Sequence, residues 1–175
     1  MLIRLRPDDP AASLLSLVCG TALFDAVAAA APATGLSLKW PNDLLLGGAK
    51  LGGILIERSS DRVVAGFGVN LARAPSVDRP AAALSPLVSI TPQAFAPLLA
   101  GALDRSLGRW RDDPKSVAAA WLDRAHPLGT ALTVHGGPRA TLSGSFAGLD
   151  AGGALMLRLA DGTTRVIHAG DASLG

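Results

Sequence analysis

The 175-residue chain has no tyrosine, one cysteine, two methionines and only three lysines among its sixteen basic residues. A lone cysteine, Cys19, excludes an internal disulfide. Its neighbours Leu15, Val18, Ala22 and Leu23 recur at helical spacing, which reads the thiol as an inert part of a core. Sixteen basic residues against fourteen acidic ones leave a formal charge of +2, too small and too dispersed for a nucleic-acid footprint. The three histidines (His126, His135, His168) are scattered, so neither metal-ligand spacing nor a catalytic triad emerges. No Walker-type phosphate loop is present, and "GFGVNL" is too short and misplaced for a dinucleotide fingerprint. The opening MLIRLRPDDP is not built like a signal peptide, and no unbroken apolar run reaches about 18 residues, so a cytoplasmic protein without a membrane span is expected.

What is present is a chain that is 49% hydrophobic, enough for a sizeable core. Asp9-Pro10, Thr91-Pro92 and Asp113-Pro114 each put a capping side chain before a proline suited to a first helical position. They predict helices near 10–30, 92–110 and 114–125. Between the first two lie short β segments, about 36–40, 43–46, 49–57 and 62–71, which read as an antiparallel meander. Residues 72–90, rich in Pro and Ala, read as a surface connection. After His126-Pro127-Leu128-Gly129 come short alternating runs divided by turns at Gly136-Gly137, Asp150 to Gly153 and Asp161-Gly162. This tail predicts a small barrel of about five strands. The expected fold is α+β, with domains at 1–126 and 127–175.

Two of the three lysines flank one turn and one hairpin, in LKWPNDLLLGGAKLGGILIE (38–57). A two-residue turn at Gly47-Gly48 pairs Leu46 with Ala49, Leu45 with Lys50 and Asp43 with Gly52. Alternation then puts Lys50 and Asp43 on one face, with Gly52 and Gly53 leaving that face open. Farther on, Gly66 and Gly68 lead to Asn70, the same pattern of small residues followed by an amide. Together they suggest a slot for a flat or extended anionic ligand. The same residues also suit an ordinary turn with a solvated lysine, and from pattern alone both readings stand.

In order, KWPNDL, KLGGILIE and GFGVNL resemble the central signature of the biotin protein ligases, KWPND, KxxGIL.E and GxGxN. "LRP" with "LSLVCGTALFDAV" is similar to the segment before that signature, and "GLDAGGALMLRLADGTTRVIHAGDASL" to the family's C-terminal SH3-like barrel, with Asp171-Ala172 where Glu-Val is usual. The resemblance implies a biotin/lipoate ligase-like mixed or antiparallel sheet with flanking helices, followed by that barrel. It implies ATP-dependent formation of biotinyl-5'-AMP and transfer of biotin to a lysine of a biotin carboxyl carrier protein of acetyl-CoA carboxylase. It assigns Lys50 as the cation between carboxylate and phosphate, with Asp43 orienting it or holding Mg²⁺. Lys50, Gly52, Gly53, Gly66 and Gly68 would contact biotin, and Lys39, Asn42 and Asn70 would contact ATP. Nucleic acid and membrane are not implied as partners; a homodimer stays open.

The family's Ser-Thr-Asn segment and GRGRxGR-type loop have no counterpart in these residues, nor does a helix-turn-helix. The chain is therefore expected to be a fragment, a product of a misassigned start or a degenerate copy, with a half-built site and weak biotin binding. Two other readings remain: a lipoate or octanoate ligase or transferase, and a non-catalytic binding or assembly module.

Overall fold

The computed structural model describes residues 1–32, 35–135 and 141–174. The first sheet comprises β1 (Leu2–Arg4), β2 (Leu36–Lys39), β3 (Asp43–Leu46), β4 (Ala49–Ser59) and β5 (Arg62–Val69), in the spatial order β1-β5-β4-β3-β2 with all pairs antiparallel. The predicted meander is present to within about two residues at each strand end. The three-residue β1 escapes prediction because so short a segment carries no period; its ladder to β5 (Leu2 opposite Val64, Ile3 opposite Val63) creates it.

Helices cover one face of this sheet: α1 (Leu15–Ala30), α2 (Pro92–Asp112) and α3 (Ser116–Leu122). Only one predicted cap forms, Thr91, whose hydroxyl accepts from Ala94 N at 3.3 Å. Asp9 does not start α1. Its carboxylate takes a two-point contact from the Arg111 guanidinium at the end of α2 (2.8 and 3.2 Å), and α1 begins through a short 3-10 turn, Ala12–Leu14. That hydrogen-bonded guanidinium holds the Asp9 carboxyl below its usual range. Asp113 caps nothing with its side chain, and α3 starts at Ser116.

The stretch Ala12–Ala30 is, contrary to the sequence expectation, long and apolar enough to cross a membrane by length and composition. In the fold its apolar side chains, Leu15, Val18, Ala22 and Leu23 among them, are buried in the core against α2, α3 and the sheet. Cys19 sits there fully buried, and burial pushes its thiol up to about 12, which removes it as a nucleophile at neutral pH. Trp110 and Trp121 are core residues as well.

The tail folds as β6 (Ala131–His135), β7 (Thr141–Leu149), β8 (Leu155–Arg158), β9 (Thr164–Ile167) and β10 (Asp171–Leu174), in the order β10-β6-β7-β8-β9. The expected five strands form, but the expected closure is absent. β9 and β10 occupy opposite edges with no pairing between them among the described residues. The predicted Gly136-Gly137 turn lies outside the described residues.

His126 stands where the two sheets meet, 8% exposed, with its ring edge-on to Phe146 at 4.6 Å between centroids. Neither ring nitrogen has a hydrogen-bond partner among the described residues. Burial disfavours the charged ring and holds its pKa below 6.5; the Lys39 charge adds to this, and the Pro127 backbone offsets part of it. The unfolded chain therefore binds the proton more readily than the folded one. This contribution to stability is complete above about pH 6.5 and is lost as pH falls below it, at no more than about 1.4 kcal/mol per pH unit. Urea unfolding at pH 7.5 and 5.5 should show that loss in the wild type and not in His126→Leu; equal pH dependence of the two proteins would refute it.

Candidate functional site

The β3–β4 hairpin turns at Gly47 and Gly48, whose φ angles of 59° and 79° suit a primed two-residue turn. The first two predicted pairs form, Leu46 with Ala49 and Leu45 with Lys50. A bulge then shifts the register, so that Leu44 faces Gly52 and Asp43 faces Gly53 rather than Gly52. The extra residue is Leu51, which points into the core, while the main chain of Lys50 pairs outward with Pro80 O and Ala82 N, both at 2.9 Å. Lys50 and Asp43 still share a face, but the glycine beside them is Gly53. A Cβ there would sit 3.4 Å from both Asp43 Oδ1 and Lys50 Nζ. Gly52 serves packing instead. On the core-facing side a Cβ would lie 2.6 Å from Gly68 O, too close for any side chain. Its main chain also lines the cleft that holds Asn70 and Arg79.

At the centre is one carboxylate between two ammonium groups. Asp43, 4% exposed, receives Lys50 Nζ at Oδ1 and Lys39 Nζ at Oδ2, the latter at 2.9 Å. Lys39 also donates to Ala172 O at 2.5 Å and lies 3.5 Å from Asp171 Oδ1. It is 11% exposed. Both Asp43 oxygens are thus engaged by cations, and among the described residues no three His, Cys, Asp or Glu side chains cluster. In this arrangement Asp43 is the ion-pair partner of both lysines.

Lys50, 27% exposed, is the member of the trio that reaches open space. It lines two clefts that share Lys50, Gly53 and Gly68. One, of about 480 Å³, runs over Gly66, Phe67 and Leu55 beside Asn42. The other, of about 430 Å³, is closed by Asn70, Pro75, Val77, Arg79 and Ala81. Gly53 pairs with Gly68, and Gly66 with Leu55, so the glycines lie along one open face of β4 and β5. A Cβ on Gly66 or Gly68 would come no nearer than 3.7 Å to another atom of the chain, so their small size keeps the clefts clear rather than relieving a clash.

The two asparagines are brought to the clefts with their amide nitrogens already engaged. Asn42 donates to Ile54 O at 2.7 Å; Asn70 donates to Ala82 O at 2.9 Å and, more weakly, to Lys50 O at 3.4 Å. Both fasten loops to β4. Reading residues 72–90 as a surface connection misses Arg79 and its neighbours on the second cleft. The short-range signal there is weak; the pairing of Pro80 and Ala82 with Lys50, thirty residues away, is what places them.

Residues 3–71 match the Biotin/lipoate A/B protein ligase family and residues 132–175 match the Biotin protein ligase C terminal domain. A Biotin--[acetyl-CoA-carboxylase] ligase of Paracoccus denitrificans is 39% identical over an alignment covering 88% of this chain and 71% of the relative. The chain belongs to the biotin protein ligase family. A second ligase of that name, from Mycobacterium tuberculosis, is 36% identical, with 90% of this chain and 60% of the relative covered. In fold, the apo biotin protein ligase of Aquifex aeolicus superposes with a TM-score of 0.83 at 22% identity, covering 99% of this chain and 80% of the other. The same enzyme in complex with biotin and ATP gives 0.82 at 22% identity, with 99% and 76% covered. The residues singled out from the sequence, Lys39 to Asn70, all fall in the first biotin ligase segment, and Arg79 lies just beyond it.

Proposed function

We propose that the chain is an ATP-dependent biotin ligase whose reaction centre is the Lys50 amine. The observation that carries this is the position of Lys50 at the junction of two clefts, fixed from behind by Asp43 and walled by glycines. The cleft over Gly66, Phe67 and Leu55 suits the apolar chain and flat ring of biotin; the one bearing Arg79 suits the nucleotide. Biotin's carboxylate oxygen attacks the α-phosphorus of ATP, the bond to the bridging oxygen breaks, and pyrophosphate leaves. An ammonium has three donors, and Asp43 uses one of Lys50's, so the remainder can face the carboxylate and the α-phosphate while negative charge builds between them. In the second step a carrier lysine amine attacks the acyl carbon, AMP departs, and the amine's surplus proton is released.

Gly53, Gly66 and Gly68 would let biotin lie against backbone, with the side of Asn42 not bound to Ile54 at its edge. Asn70 would contact adenine only through its carbonyl oxygen, its nitrogen being engaged. The carrier is a biotin carboxyl carrier domain of acetyl-CoA carboxylase, and the reaction is cytoplasmic. The two family segments and the two sheets support domains at 1–126 and 127–175. Biotin-dependent exchange of labelled pyrophosphate into ATP tests the reading, and no exchange at saturating biotin would defeat it. Within that assay, Arg79→Ala should raise the KM for ATP about tenfold and leave the KM for biotin within about twofold, as expected for one charge-assisted phosphate contact of about 1.5 kcal/mol. Equal changes in both constants would remove Arg79 from the nucleotide cleft.

A further inference from the structure

Three consecutive residues leading into the turn at Pro41 each hold a different part of the C-terminal half. Leu38 N donates to Arg124 O at 2.7 Å, Lys39 Nζ to Ala172 O at 2.5 Å, and Trp40 Nε1 to Gly153 O at 3.1 Å. The segment that presents Asp43 is therefore tied to the end of α3, to the turn between β7 and β8, and to β10. Lys39 joins Asp43 to β10. Its ammonium donates a hydrogen bond to Ala172 O on β10 and forms ion pairs with Asp43 Oδ2 at 2.9 Å and, more loosely, Asp171 Oδ1 at 3.5 Å. A carboxylate is planar, so fixing Oδ2 determines where Oδ1 faces, and Oδ1 is the atom that holds Lys50.

We propose that Lys39 is a positioning residue, through which β10 of the C-terminal sheet sets the orientation of Asp43 and hence of the Lys50 amine. Its catalytic consequence rests on the ligase reading; its structural content does not. The C-terminal sheet thus supplies part of the reaction centre without touching substrate. The role assigned to Lys39 from sequence, contact with ATP, predicts something different: loss of nucleotide affinity, with Lys50 undisturbed.

Because the chain has three lysines, ¹³C/¹⁵N-lysine labelling yields three side-chain signals, with exposed Lys115 as the solvated reference. In Lys39→Met, checked for folding by circular dichroism, the Lys50 Nζ signal should move toward that of Lys115. In pyrophosphate exchange kcat should fall about tenfold, with the KM values for ATP and biotin within about twofold, and Lys39→Arg should recover most of the loss. Asp171→Asn, at a side chain 70% exposed and so harmless to packing, should shift the Lys39 signal and lower kcat about twofold. An unmoved Lys50 signal in Lys39→Met would overturn the proposal, as would a tenfold rise in the KM for ATP at constant kcat. Should Lys39→Met not fold, an unmoved Lys39 signal in Asp171→Asn does the same. A wild-type protein without exchange activity sinks the ligase reading alone, and the spectra still decide this one.

Discussion

Replacing Lys50 by alanine lowers biotin-dependent pyrophosphate exchange by about 10²–10³-fold and barely changes stability. The rate loss is that expected when one preorganised charge donor is removed from a developing phosphoryl transition state. Stability is spared because Lys39 still neutralises Asp43 from the other side, and because the Lys50 side chain is the most exposed of the three. Exchange kinetics beside a urea unfolding curve separate the two effects; a fall in stability proportionate to the fall in rate would make Lys50 a structural residue. Lys50→Arg should also be impaired. A guanidinium is a broad planar fork, and the space between Asp43 and Gly53 fits a compact ammonium.

Asp43→Ala has the opposite signature, a large loss of both stability and rate. It leaves Lys39 almost wholly buried without its nearest anionic partner, since Asp171 is 3.5 Å away and mostly solvated. Breaking a buried pair in this way costs about 3–5 kcal/mol, because an uncompensated charge stays behind. Lys50 loses its support at the same time, so the surviving folded protein should exchange pyrophosphate no faster than Lys50→Ala. Chemical denaturation measures the first effect. A destabilisation under about 1 kcal/mol would mean that the trio is held by something other than the carboxylate.

Local pattern carries the sequence reading a long way. The strands from Leu36 to Val69, the Thr91 cap and the Gly47-Gly48 turn are all written in residues close together in the chain. Asp43 and Lys50 can be put on one face because alternation survives the bulge at Leu51, although the glycine beside them cannot be identified. What escapes depends on partners far away. Arg111 draws Asp9 out of its capping position across 102 residues, and Ala172 claims Lys39 across 133. A free lysine and a tethered one look alike in sequence, and so do Arg79 on a loop and Arg79 on a cleft wall. Strand count in the tail follows from turn spacing, whereas closure depends on how far the edges curve toward each other, which turn spacing does not encode.

The main-chain bonds of Lys50 to Pro80 and Ala82 also bear on how a ligand gets in. The wall carrying Arg79 is stitched to the very strand that bears Lys50, with Asn70 adding a further tether to Ala82. Swinging that wall outward as a hinged flap would tear both stitches and displace the amine, so it behaves as a fixed jamb. A ligand taken up under the proposed reading would then enter and leave along the glycine-paved side.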